Sequence, residues 1–382
     1  MTVLLAVHDG EPHVRQCVES VLGQSFTDFE LLIVDDASTD GTPAAIAAYA
    51  DPRVRLLGNG SNLGQVPSLN RGLREARGEY VARIDHDDWC RPQRLERQVA
   101  VLDAEPRVGL VGTWMEAIDK RGRRLGWLRE TLDGFADFVF HTLIMRVYIS
   151  HPSAMYRRDP VLRLGGYDES TAPAEDKDLW RKLLLERWDA RIVTSPLVAY
   201  RLHDAQLSQT RAAYQREVDG RSQERFLTEL DPEAPAHTLR VLLANDAAFW
   251  GERREQAGVL AALERLLAAA CGRLQLDERE RLRLEQLVAG QLLRVARTRP
   301  WRRESPALAA WGLQRTSRER RGAAIGAHAA SLALAPPRCA GRSALRALSD
   351  ATEGMPRVQA LRAAAKRSRA ARLLYGKLVG GN

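Results

Sequence analysis

The 382-residue chain is poor in cysteine and in aromatic residues, and its apolar runs are short. Its four cysteines, Cys17, Cys90, Cys271 and Cys339, are scattered, with no C-x-x-C and no ligand-like spacing. That argues against a disulfide framework or a zinc site and fits a reducing cytoplasm. Aromatics make up 6% of the chain, too few for a stacking platform, and no zinc-finger or RNA-recognition signature is present. The N-terminus "MTVLLAVHDGEP" has no basic leader region, its apolar run is very short, and acidic residues follow at once. It reads as a strand rather than a secretory signal or membrane span. No internal repeat of fixed period is visible.

What is present is ordinary for a globular protein, with 45% hydrophobic and 28% charged residues and enough length for two domains. The net charge of +8 points to an acidic partner without choosing among nucleic acid, a membrane surface and a phosphorylated substrate. The first half alternates strand-like and helix-like segments. Apolar runs at 3–7, 29–36, 54–59 and 79–85 are each followed by turn residues and a helical pattern, with Pro12 opening one helix and Thr42 and Pro43 another. This is how an α/β fold with a mostly parallel sheet flanked by helices looks in sequence. Such sheets bind ligands at the carboxyl ends of their strands. Asp9, Asp35, Asp36, Asp85 and Asp87 all fall there.

From about Gln215 the sequence turns rich in Arg, Ala, Leu and Glu at helical spacing, as in 258–276 and 278–297. The expected organisation is a first domain over 1–215, an α-helical domain over 216–335 and a basic helical tail over 336–382. Within the tail, 357–378 alternates Arg or Lys with Ala and Leu. It suits either an anionic membrane surface or a solvated helix packed on its own domain.

The stretch "RIDHDDW" (83–89) crowds three carboxylates into four residues at a strand end. Carboxylates that stay ionised this close usually hold a cation, and a hard divalent ion is held by one or two of them plus substrate phosphates. The alternative is an acidic turn at the start of the helix near Pro92, where Asp88 would meet the positive helix end. A strand-terminal D-x-D also suits a phosphohydrolase of the haloacid-dehalogenase type, but there the nucleophile follows the first strand, and this first strand ends in His8-Asp9-Gly10.

Four blocks in order, "VLLAVHDGEP…FELLIVDDASTDGT", "NLGQVPSLNRGLREARGEYVARIDHDDW", "HPSAMYRRDPVLRLGGYDES" and "AEDKDLWRKL", resemble the family-2 glycosyltransferases of GT-A fold, over about residues 2–210. The resemblance implies a metal-dependent inverting transfer of one sugar from a nucleoside-diphosphate donor to an acceptor hydroxyl. Ala6, His8, Glu11 and Asp36 would hold the nucleotide base, and Asp85 the ribose side. Asp87 and Asp88 would bind Mn²⁺ or Mg²⁺, with His203 of the "YRLH" block as a further ligand or a diphosphate contact. Asp176 would be the catalytic base. Glu175 and His151 would lie on the acceptor side. His86 is expected to be a neighbour of the ion, not a ligand. Locally satisfied alternatives stand beside several of these: turn capping for Asp36, local hydrogen bonds for His203 and His151, and acids favouring a helix start for Glu175 and Asp178.

The partners implied are a nucleotide-sugar and a glycan or lipid-linked acceptor, with an anionic membrane reached through 357–378 and no nucleic acid. The enzyme would be cytoplasmic, peripheral on the inner membrane face. Ala6 stands where many relatives have Pro and Asp9 where Asn is frequent. "LERWD" (185–189) lacks the Gln of the processive synthases' block, and no span could form an export channel, so addition of a single sugar is expected.

Overall fold

A computed structural model of the chain describes residues 1–146, 149–203, 206, 211–244, 258–298, 308, 309, 311, 312 and 315. The expected tail over 336–382, with its segment 357–378, lies outside the described residues, as does Cys339. Strands β1 (Thr2–Val7), β2 (Glu30–Asp35), β3 (Val54–Gly58) and β4 (Tyr80–Arg83) alternate with helices α1 (Glu11–Leu22), α2 (Thr42–Ala47) and α3 (Gln65–Glu75). There follow β5 (Trp89–Cys90), α4 (Arg94–Ala104), β6 (Val108–Asp119), β7 (Arg124–Leu128), α5 (Phe135–Leu143), β8 (Met155–Arg157), α6 (Arg158–Arg163), α7 (Glu175–Leu185) and β9 (Asp189–Leu202). The remaining helices are α8 (Ala212–Leu230), α9 (Ala236–Leu243), α10 (Val259–Arg273) and α11 (Glu278–Thr298).

All nine strands form one sheet in the order β3-β2-β1-β4-β8-β6-β9-β5, with β7 added beside β6. The first four strands pair in parallel, as their continuous apolar runs predict. Beyond β4 the sheet is mixed: β8 runs antiparallel to β4 and to β6, whereas β6 and β9 are parallel. Two reversals return β6 to the direction of β4. The carboxyl ends of β1, β2, β4, β6 and β9 therefore share one edge of the sheet. One face of β1 and β2 (Val3, Leu5, Val7, Leu31, Ile33) packs with Val14, Cys17, Val18 and Val21 of α1. The period-two alternation of a strand turns Leu4 to the other face, toward α3.

The structure divides into two compact units. The first comprises Met1–Thr142 and Arg146–Phe226 and contains the sheet. The second comprises Leu143–Met145 and the described residues from Leu227 onward. In the second, α9, α10 and α11 pack through fully buried Leu239, Leu242, Leu263, Leu266, Leu284, Val288 and Leu292. Gln291 Nε2 donates to the Leu243 carbonyl at 2.6 Å. Among the described residues, no helix is long and apolar enough to cross a membrane.

Candidate active site

The β1–α1 and β2–α2 turns lock together at the carboxyl edge of the sheet. His8 Nδ1 donates to the Asp36 carbonyl at 2.9 Å, Gly41 N donates to Glu11 Oε2 at 3.2 Å, and Glu11 N donates to Asp40 Oδ2 at 3.1 Å. Asp9, with φ of 48°, accepts from Thr39 N at 2.7 Å. Thr42, which the sequence places at the opening of α2, does not cap it; Gly41 is the N-cap, and the Thr42 hydroxyl accepts from Gly10 N at 2.8 Å. Gly10 must be small, because an added Cβ would meet Val7 and the His86 ring at 2.6 and 2.7 Å.

Asp36 is buried beneath this turn. Its Oδ1 accepts from Asn59 Nδ2 (2.6 Å) and Leu63 N (2.9 Å), and its Oδ2 from Gly64 N (2.8 Å). Burial alone would raise its pKa, but these bonds outweigh burial and hold it below the ordinary value. A carboxylate has about four acceptor positions, so Asp36 braces the loop before α3 and keeps little free capacity for a base. Asp35 accepts from Ser38 N at 3.2 Å, which is a turn-capping contact. Ala6 is buried at the end of β1.

At the end of β4, Asp85, Asp87 and Asp88 bring one oxygen each within 4.8 Å of one another. Asp88 does not cap α4. Its Oδ1 accepts from the backbone N of Arg201 at 2.8 Å, while its Oδ2 is buried and has no partner. Burial first, then the charges of Asp87 and Asp85, push Asp88 well above the usual carboxylate range. Asp87 is held low despite burial, by the charge of His86 and by the bond from His203, whose Nε2 lies 2.8 Å from Asp87 Oδ2. An all-oxygen set with one buried, unpartnered carboxylate oxygen fits a hard divalent cation such as Mg²⁺ or Mn²⁺. His203, expected as a further ligand or a diphosphate contact, is hydrogen-bonded to Asp87 and orients it.

Two arginines organise this turn, one marked by a local signal and the other by none. Arg83 lies in β4 with 0% side-chain exposure and pairs with Asp85, two residues on and therefore on the same side of the strand. A charged residue inside the apolar run "EYVARI" is the signal that could have found it, since a buried charge needs a partner. Arg201, near the end of β9, sends Nε to the Asp87 carbonyl at 2.9 Å and Nη2 to Gln16 Oε1 at 2.7 Å. No local rule reaches across the 114 positions that separate Arg201 from Asp87.

The second acidic group opens α7. Glu175 is 5% exposed, and its Oε2 is buried with no partner. Burial, then the adjacent Asp176, push it up to about 7. Asp176 Oδ1 accepts from Lys177 N at 2.8 Å, and burial raises its pKa against the pull of Lys177. Asp178 is engaged structurally, with Ser222 Oγ donating to it at 2.7 Å and Lys182 at 2.9 Å. Asp219 of α8 pairs with both Lys177 and Arg181, so α8 fixes the start of α7. The charge of Arg83 is a lesser influence that lowers both Glu175 and Asp176. A pocket of about 260 Å³ is lined by the Leu63–Pro67 turn, Pro173, Glu175 and Arg211.

His151 sits on a single 3₁₀ turn (His151–Ser153) and is 8% exposed. Its Nε2 lies 2.9 Å from Tyr167 Oη, whose hydroxyl donates to Tyr156 at 3.0 Å, and Trp180 packs edge-on at 6.4 Å. Burial, then Arg83, hold its pKa well below the ordinary value, so it is neutral. Gly165 and Gly166 form a turn, and Gly166, with φ of 75°, lies against Asn70, whose Oδ1 accepts from Tyr167 N at 2.9 Å.

The fold is an α/β sheet flanked by helices, with two acidic groups, after β4 and at the start of α7. The family model described as glycosyl transferase family 2 matches residues 2–165. EpsE of Bacillus subtilis, named as a glycosyltransferase, is 34% identical over 191 residues, which cover 49% of this chain and 67% of that protein. The O-antigen biosynthesis glycosyltransferase WbnJ of Escherichia coli is 28% identical over 225 residues, 56% of this chain and 84% of that protein. A crystal structure of S. aureus TarS 1–349 in complex with UDP-GlcNAc aligns with a TM-score of 0.50 at 18% identity, covering 84% of this chain and 91% of that one. This last likeness concerns the fold. The chain belongs to glycosyltransferase family 2, with a GT-A fold.

Proposed function

We propose that the chain transfers one hexose-type sugar from a nucleoside-diphosphate donor to an acceptor hydroxyl, with inversion, in the assembly of a polysaccharide, O-antigen or lipid-linked glycan. One observation carries this reading: three carboxylates within 4.8 Å at the end of β4, with one buried oxygen left unpartnered. Asp87 and Asp88, with His203, would hold Mn²⁺ or Mg²⁺, and Asp85 would face the ribose and the ion. When bound, the ion acts as a Lewis acid on the diphosphate, where negative charge develops.

The rest falls to the chain itself. Ala6, His8, Glu11 and Asp36 form the floor for the base. Of these, Asp36 acts mainly by fixing the Asn59–Gly64 loop. Asp176 accepts the acceptor hydroxyl's proton as the oxygen bonds to the anomeric carbon; the bond from that carbon to the diphosphate oxygen breaks, and its electron pair leaves with the nucleoside diphosphate. One displacement from the opposite face inverts the centre. Lys177 N holds one oxygen of Asp176, leaving the other for the proton. Glu175 and His151 belong to the acceptor side, His151 by supporting Tyr167 rather than by contact. The setting proposed is cytoplasmic and peripheral to the inner membrane face, with 357–378 as a basic contact and no nucleic-acid partner.

The test is donor turnover with uridine-, thymidine- and guanosine-diphosphate sugars, with and without Mn²⁺. Metal-dependent turnover of one donor class is expected. The reading fails if no donor is bound and Asp176→Asn leaves every rate unchanged.

A further inference from the structure

The hairpin of β6 and β7 differs from the rest of the sheet. β7 pairs only with β6, Met115 against Leu128 through Ile118 against Arg124, so it is an edge. Of the seven large apolar side chains exposed among the described residues, three fall within four positions of this edge: Leu125 (60%), Trp127 (38%) and Leu128 (43%). They are interleaved with Lys120, Arg121, Arg123, Arg124 and Arg129. The two acids that flank the segment are engaged. Asp119 accepts from the backbone N of Arg121 and of Arg123, both at 2.9 Å, and pairs with the Arg123 side chain; Glu130 pairs with Arg146 at 3.0 Å. Among the described residues, Lys120, Arg121, Arg124 and Arg129 have no ion pair with an acid. Arg124 and Arg129 lie over the Trp127 ring at 5.1 and 5.2 Å.

We propose that this hairpin, Asp119–Leu128 with Arg129, docks the protein on an anionic phospholipid bilayer. Trp and Leu at the tip suit the boundary between headgroups and acyl chains, and the arginines among them suit lipid phosphates. The charge argues against the other occupants. A second copy would bring like-charged faces together, and an added β-strand would meet an edge guarded by arginines. Stacking of a nucleic-acid base on Trp127 would compete with two guanidinium groups already over the ring.

Position gives the surface its use. Arg201 donates to the carbonyls of Asp119 (3.4 Å) and Lys120 (3.3 Å) at the hairpin base and to the Asp87 carbonyl of the acid turn (2.9 Å). One guanidinium thus joins the docking hairpin to the acidic cluster. A bilayer seated there would present a lipid-linked acceptor at the edge of the sheet that carries the reaction. The docking surface stands on its own charge and exposure, separately from the transfer reaction.

The test is cosedimentation of the full chain with phosphatidylcholine vesicles that contain one third phosphatidylglycerol, alongside vesicles of phosphatidylcholine alone. Binding is expected to the anionic vesicles and to fall with salt. At about fivefold per cation, Lys120→Gln with Arg121→Gln should weaken it about 25-fold, and Trp127→Ser about tenfold, with melting temperature and donor turnover in solution unchanged. A tail variant, Lys366→Gln with Arg367→Gln and Arg369→Gln, should retain the hairpin-dependent binding. The proposal is overturned if the hairpin variants bind anionic vesicles like the parent chain, whether the tail variant then loses binding or the hairpin variants lose only heparin or DNA. Hairpin-dependent vesicle binding without turnover of any donor would count against the transferase reading alone.

Discussion

The acid turn after β4 and the acidic start of α7 contain the same kind of residue and solve opposite problems. In the turn, three carboxylates bring one oxygen each within 4.8 Å, and each has a donor of its own: the Arg83 guanidinium for Asp85, the His203 ring for Asp87 and the Arg201 backbone amide for Asp88. On the helix, Asp178 is tied to Ser222 and Lys182, whereas burial raises the carboxyl groups of Glu175 and Asp176. The turn concentrates negative charge that a cation can neutralise. The helix start raises carboxyl groups toward neutrality by burial, as suits proton transfer.

The strongest way to break the comparison is to remove the turn's buried oxygen. Asp88→Asn should lower transfer on the order of 10⁴-fold, since the ion's contribution is worth several kcal/mol. The melting temperature of the parent chain should rise with Mn²⁺ and that of the variant should not, because an ion stabilises only the state that binds it. Without metal, Asp88→Asn should be at least as stable as the parent, since one crowded charge is gone. An equal Mn²⁺ response in both proteins would show that the turn is not the metal site. Next in size is Asp176→Asn, expected to cost about 10³-fold in kcat with donor affinity unchanged, as measured by calorimetric titration of the donor. A loss confined to donor affinity would move Asp176 out of the proton-transfer role.

Arg83 and Asp85 form the buried ion pair of the turn. Asp85→Asn leaves a guanidinium with 0% exposure without its ionic partner, and urea unfolding should show a loss of about 3 kcal/mol or more. Adding Arg83→Met should restore most of that loss, because removing both members of a buried pair is far cheaper than removing one. If the double variant is as unstable as Asp85→Asn alone, the pair is not coupled.

Much of the sheet was legible because its strands are short apolar runs ended by Asp or Gly, and the acid turn was legible because charge cannot continue such a run. Thr42 shows the limit. Its position before Pro43 is that of a helix cap, yet its hydroxyl serves Gly10, a residue 32 positions earlier. The mixed half of the sheet was hidden for the same reason, since β8 and β5 are only three and two residues long and exist through pairing with distant strands. Arg201 reaches the acid turn only through the tertiary fold. Asp36, read as a contact for the base, proves to be bonded to the loop that Asn59 and Gly64 belong to, a partner that no spacing rule would name.

The smallest expected effect separates burial from catalysis at Glu175. Its folded pKa of about 7 lies above the ordinary value of 4.5 because burial and Asp176 oppose its charge. The folded state therefore binds more protons than the unfolded state between about pH 4.5 and 7, and stability falls as pH rises through that window. Glu175→Gln removes the titration. Relative to the parent, the variant should match it near pH 4 and gain up to about 3 kcal/mol by pH 8, read from urea unfolding at each pH. Its kcat should retain the acid-side fall that Asp176 imposes. If the stability difference does not depend on pH, Glu175 is not buried as a charge-sensitive group; if the acid-side fall in kcat disappears with it, Glu175 and not Asp176 is the base.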